Sequence, residues 1–130
     1  MENNSQIDNL EYGQVKISDE VVATIAGLAA SEVEGIWDMS GGLAGNLSDL
    51  LGRKNLAKGV KVEVGEEEAV IDLNVIVEYG IKIPDVAWKV QENVKSAIET
   101  MTGLRVVEVN IHVQGVYIPK QEEKEMVEEE

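Results

Sequence analysis

The sequence predicts an α+β fold, a two-layer sandwich with two main helices on one face of a mixed sheet. Two long stretches alternate apolar and polar residues, and a single apolar helical stripe links them. In the first, Ala69, Ile71, Leu73, Val75, Val77 and Tyr79 alternate with Asp72, Asn74 and Glu78. In the second, Val107, Val109, Ile111 and Val113 alternate with Glu108, Asn110, His112 and Gln114. Those intervening residues are too polar for a sheet covered on both sides, so one face is expected to meet water or a partner.

Taken in order, the elements read β-α-β-β-β-α-β, with a glycine-rich excursion after the second strand. Residues 1–11 are polar and aperiodic and are expected to be flexible. Val15 and Ile17 alternate with Gln14 and Lys16, a short first strand. Ser18 is placed to cap a helix whose first turn carries Asp19 and Glu20, and Val21, Val22, Ile25, Leu28 and Ala29 form its apolar stripe. Gly27 inside that helix reads as a close-packing position. Residues 35–38 form a short second strand, with Trp37 expected in the core.

After them, Leu47, Leu50 and Leu51 have the spacing of one or two helical turns, but glycines at 41, 42, 45 and 52 predict a mobile loop. Val60, Val62 and Val64 alternate with Lys61 and Glu63, and the Gly65-Glu66-Glu67 turn makes this strand and the next an antiparallel hairpin. Pro84 suits the first turn of the second helix, where its missing N–H costs nothing. Val86, Ala87, Val90, Val94, Ala97, Ile98 and Met101 share one face, and Gly103 fits a left-handed C-cap. Residues 12–118 thus make a single domain, and 119–130 an acidic tail too polar and too like-charged to order itself.

Composition narrows the function. The 130 residues carry a net charge of −14, from 25 acidic and 11 basic side chains, which repels nucleic-acid phosphates and anionic lipid over the surface as a whole. The chain lacks cysteine, which removes disulfides, thiolate nucleophiles and thiolate metal ligands. No apolar run approaches the roughly 20 residues of a spanning helix, so no direct membrane insertion is expected. The first residues lack the basic region and apolar core of a secretory signal, and a cytoplasmic location is expected.

Two clusters are candidates for binding. Arg53, Lys54, Lys58 and Lys61 put four of the eleven basic residues within nine positions, just after a G-x-x-G tetrapeptide at Gly42 to Gly45. The 42–61 loop either is solvated or contacts an anion: a small ligand, a lipid head group or nucleic acid. Tyr79, Ile81 and Ile83, with Trp88 and the rim residues Lys82, Asp85 and Lys89, either form an apolar patch for a partner or tuck their isoleucines under the helix. Trp88 lies outside the apolar stripe and either wraps the sheet edge or anchors a partner.

Catalysis finds no footing. His112 is the lone histidine and is expected at the surface; alone it cannot build the usual zinc sphere. The carboxylate pairs Glu63 and Glu78, or Asp72 and Glu108, read as solvated charges rather than an acid–base pair. No catalytic group, cofactor or metal is expected.

The stretch "NVIVEYGIKIPDVAWKVQENVKSAIETMTGLRVVEVNIHVQGV" closely resembles the C-terminal half of the alkaline shock protein family, the envelope stress response proteins of Gram-positive bacteria. "GQVKISDEVVATIAGLAASEVEGI" resembles the family's opening strand and helix, and "KGVKVEV" its middle strand, so the similarity runs from Tyr12 to Ile118. The resemblance implies a non-enzymatic, stress-linked scaffolding protein that self-associates or is held near the membrane by a membrane-embedded anchor protein.

Overall fold

Ser18 fixes where the first helix starts. In the computed structural model, which describes residues 12–40 and 57–119, its backbone is extended and its hydroxyl accepts the Val21 amide at 3.2 Å. Helix α1 (Asp19–Ser31) follows, then strands β1 (Ile36–Met39), β2 (Val60–Val64) and β3 (Glu68–Glu78), helix α2 (Ile83–Thr102) and strand β4 (Arg105–Tyr117). Gly103 closes α2 at φ +79°, with its amide on the Glu99 carbonyl at 3.0 Å. The N-terminal segment, the core of the glycine-rich loop with its leucines, and the acidic tail lie outside the described residues.

The strand expected at Val15 and Ile17 does not form, and residues 13–18 join no sheet. Val15 is 70% exposed and Ile17 36%, so the segment gains no buried face that would hold it on the sheet. Strand β3 is its centre, and both of its edges are already occupied. Along one edge β4 runs parallel to it over its whole length. Along the other, β1 pairs antiparallel with Val75, Ile76 and Val77, and β2 with the stretch from Ala69 to Leu73. The mixed sheet, open on one face, is therefore as expected, but the observed order among the described residues is α-β-β-β-α-β.

Strands β1 and β2 are in effect one edge strand broken at Asn74. The Ser40 amide donates to the Asn74 carbonyl at 2.8 Å, and the Asn74 amide donates to the Gly59 carbonyl at 2.8 Å. The chain thus leaves and rejoins the sheet at the same residue. Gly59 has φ +76°, and a Cβ there would lie 2.9 Å from the Ser40 carbonyl oxygen and 3.0 Å from that of Asn74. Only glycine fits this seam.

Both helices cover one face. Val86, Val90, Val94 and Ile98 of α2 bury against Ala69, Ile71, Leu73, Val75 and Val77 of β3, the alternate residues of the long strand. On α1 the buried side is Val22, Ala23, Ala26, Ala29 and Ala30, with Gly27 among them. Val21 and Leu28, expected in that stripe, are 48% and 44% exposed. Small residues let α1 approach its neighbours closely, which displaces the bulkier side chains to the rim.

Strand β4 departs from simple alternation. Ala69 pairs with Val106 but Val70 with Glu108, so Val107 is a β-bulge and is 44% exposed instead of inward. A second bulge at Gln114 follows, between the Val75–Val113 and Ile76–Gly115 pairs.

The seam at Gly59 yields a stability prediction. Gly59→Ala lowers the unfolding free energy in urea by more than about 1 kcal/mol, and by more than Gly80→Ala, where φ is +96° but no atom lies within 4 Å of the added Cβ. Equal losses would show that the left-handed backbone, and not the contact with Ser40 and Asn74, sets the cost.

Candidate functional site

The turn between β3 and α2 and the first turns of that helix leave several apolar side chains exposed. Tyr79 is 71% exposed and Trp88 57%, and Ile83, Lys82 and Lys89 are exposed as well. Ile81 instead packs against the core. The isoleucines have divided: one folds under the helix and the other stays at the surface. Tyr79 is held through its backbone, whose amide donates to the Tyr117 carbonyl at 2.9 Å.

Trp88 opens a stripe along α2 that sequence reading passed over. Gln91, Lys95 and Glu99 follow it at steps of three, four and four, and all three reach the outer edge of β4. The Gln91 amide donates to the Val109 carbonyl at 3.0 Å. The Lys95 ammonium donates to the Val106 carbonyl at 3.1 Å and to the Glu99 carboxylate at 3.0 Å. That carboxylate accepts the Val106 amide at 2.9 Å. An edge strand exposes unpaired backbone groups, and these side chains occupy the amide and carbonyl of Val106 and the carbonyl of Val109. The signal was present as a polar line beside the apolar face of α2, but nothing in the sequence said which strand it would reach.

The Glu99 carboxyl is held below the ordinary carboxylate value, first by the Val106 amide and then by its hydrogen bond with Lys95. Both stabilise the ionised form. They outweigh the partial burial, which acts in the opposite direction.

The open face of the sheet carries a polar ladder across β3 and β4. The Asn110 amide donates to Asp72 at 3.2 Å and to Glu108 at 3.3 Å, His112 Nε2 lies 3.5 Å from Asp72, and Gln114 donates to Asn74 at 3.3 Å. His112 is exposed, as expected. Asp72 and Glu108 thus share one amide donor. Glu63 pairs beside Val70 while Glu78 ends β3, so that pair is not brought together. At the far end of the face the rings of Trp37 and Tyr117 stack, with centroids 3.8 Å apart and planes within 3°. Trp37 is therefore not core: it is 49% exposed. The register steps from Ile36–Val77 to Asp38–Ile76, which makes Trp37 a bulge and turns its ring outward while Ile36 and Met39 stay buried.

The basic cluster is not assembled among the described residues. Lys58 places its ammonium 3.4 Å from Asp38, with its side chain only 13% exposed, so its charge is already matched. Lys61 lies on the open face beside Asp72. Arg53 and Lys54 lie outside the described residues. An open groove of 930 Å³ runs between the end of α1 and the outer side of α2, where Lys89 and Lys95 sit among Glu32, Glu34, Glu92 and Glu99.

Comparison with known proteins places these features. The model of the alkaline shock protein family, described as having a "cell envelope-related function", matches residues 7–118. The chain is 37% identical over 123 residues to YqhY of Bacillus subtilis (strain 168), covering 95% of this chain and 91% of that one. It is 42% identical over 110 residues to YloU of the same strain, covering 83% and 92%. A "stress response regulator gls24 homolog" of Streptococcus pyogenes is 34% identical over 116 residues, which are 88% of this chain and 65% of that protein.

The Glu99 clamp predicts a pH dependence. A carboxyl whose folded pKa lies below its unfolded value adds stability that is complete above the ordinary value of 4.5 and is lost as the pH falls through the lowered one. Glu99→Gln should therefore unfold more readily than wild type near neutral pH. The gap should close as the pH drops below 4.5. A gap that stays constant across the acid range would contradict this origin.

Proposed function

Because the chain belongs to the alkaline shock protein family, whose function is cell envelope-related, we propose that it is a non-enzymatic interaction and scaffolding protein of the envelope stress response, held near the membrane by a membrane-embedded partner. The observation that carries this reading is the exposure of three large apolar side chains, Tyr79, Ile83 and Trp88, in the turn before α2 and in its first turns. Aromatic side chains that remain exposed beside a rim of Lys82, Asp85 and Lys89 suit a protein contact. Such a contact, and not insertion, would bring the chain to the membrane: none of the described helices is long and apolar enough to cross one.

The net charge of −14 adds a further constraint. Anionic head groups repel a surface of this sign, so attachment through a protein suits the chain better than attachment to lipid. The link to a stress response takes support from the relative described as a stress response regulator.

Sedimentation with membranes tests the reading. The purified chain should sediment with native membranes of its own source, lose that binding when the membranes are first treated with protease, and stay in the supernatant with protein-free vesicles of anionic lipid. Trp88→Ala should weaken the native-membrane binding by about tenfold or more, the size of effect seen at interface hot spots. Equal binding to protein-free vesicles would overturn the proposal.

A further inference from the structure

One end of the sheet's open face combines an aromatic platform with an unmatched carboxylate. The bulge in β1 turns Trp37 onto this face, where its ring reaches across β3 to stack on Tyr117 of β4. The stack does not use up the indole, since Trp37 is still 49% exposed. Glu78 pairs in register with Tyr117 and, one residue after the inward Val77, stands on the same face. It is exposed, and among the described residues no cation pairs with it. Beside the stack, β4 carries no side chain at Gly115, where an added Cβ would meet only Ile76, at 3.9 Å. The platform is therefore reachable from the rest of the face.

From this end an acidic track follows β3. Asp72, Glu63 and Glu108 lie along it, opposed by Lys61. Asn110 donates to both Asp72 and Glu108 without neutralising either. Two further carboxylates are already matched, Asp38 by Lys58 and Glu68 by Arg105.

We propose that the open face docks an extended, arginine-bearing basic segment of a partner protein, with one guanidinium laid on Trp37 and bound by Glu78. Two independent features select this occupant. The track and the net charge of −14 attract a basic segment and repel an acidic one, a nucleic acid or a second copy of the chain. The platform then narrows basic to arginine: a guanidinium is flat enough to stack on an indole and offers a carboxylate two parallel N–H groups, whereas an ammonium has neither the plane nor the fork. The track from Val70, opposite Glu108, to Glu78, opposite Tyr117, spans eight residue steps of β3, roughly 26 Å at the rise of a strand. An extended segment of that length covers it and turns every second side chain toward the carboxylates. Such a segment suits the membrane-embedded partner proposed above, because lysine and arginine gather on the cytoplasmic flanks of spanning helices. The docking face goes beyond that reading and does not depend on it.

Fluorescence anisotropy on the full chain tests this with two labelled decapeptides, one alternating arginine with serine and the other lysine with serine. At physiological salt the arginine peptide should bind saturably and about fivefold or more tighter than the lysine peptide. Trp37→Ala should weaken its binding by about fivefold or more, and Glu78→Gln by about threefold or more. Glu92→Gln, which removes the same charge from the outer side of α2, should leave it unchanged. Absence of saturable binding overturns the proposal, as does equal affinity for the two peptides or a folded Trp37→Ala that binds like wild type. Equal losses from Glu78→Gln and Glu92→Gln also overturn it, since they mark a response to net charge alone. Should Trp37→Ala lose its circular dichroism spectrum, the two glutamate variants and the peptide pair decide. The scaffolding reading, tested by Trp88→Ala on native membranes, survives each of these failures.

Discussion

Strand β3 is the constraint from which the rest of the molecule follows. Its alternate residues Ala69, Ile71, Leu73, Val75 and Val77 are all nearly or wholly buried, and its backbone pairs with each of the other three strands. Because β4 takes one edge along its full length, β1 and β2 must share the other. They can share it only by lying end to end. The break at Asn74 follows from that, as does the glycine at 59 that lets Ser40 and the returning chain meet there. The chain's departure at Ser40 and its return at Gly59 are thereby both tied to Asn74.

The helix α2 divides its surface into two employments. One stripe, Val86, Val90, Val94 and Ile98, is buried in the core with the inward residues of β3. A second stripe, a third of a turn away, runs from Trp88 through Gln91 and Lys95 to Glu99 and lies along the outer edge of β4. Its polar members close backbone groups that an edge strand would otherwise leave open. Its aromatic member, nearest the helix start, closes nothing and stays exposed. The same line of residues therefore protects one part of the edge and leaves the other accessible.

Local signals in the sequence were strong wherever an element is fixed by its own residues. The Ser18 cap, the Gly103 cap, the hairpin around Gly65 and the long strand β3 could all be read directly, because capping chemistry and a two-residue period act within a few positions. What could not be read was set by competition between distant segments. Val15 and Ile17 alternate well enough for a strand, but they stay exposed and gain no buried face on the sheet. Trp37 is apolar enough for the core, but a bulge turned it outward to stack on Tyr117, a partner eighty positions later in the chain. Val107 alternates correctly with its neighbours and is displaced by a bulge that only the pairing with β3 requires. Of the candidate site, Tyr79 and Trp88 are exposed as a contact surface needs, Ile81 belongs to the core, and Lys58 is matched by Asp38.

The account of α2 turns on the claim that its side chains close the β4 edge at Val106 and Val109 and that, among the described residues, nothing closes it beyond. Backbone amide hydrogen exchange, measured residue by residue on the chain diluted to single-chain mass, tests it directly. Backbone groups alternate in direction along a strand, so the account predicts slow exchange at Val106, held by Glu99, and fast exchange at Ile111 and Val113, with slow exchange at Asn110 and His112, whose amides face β3. If Ile111 and Val113 exchange as slowly as those neighbours, the edge is already closed within the chain and the account is contradicted.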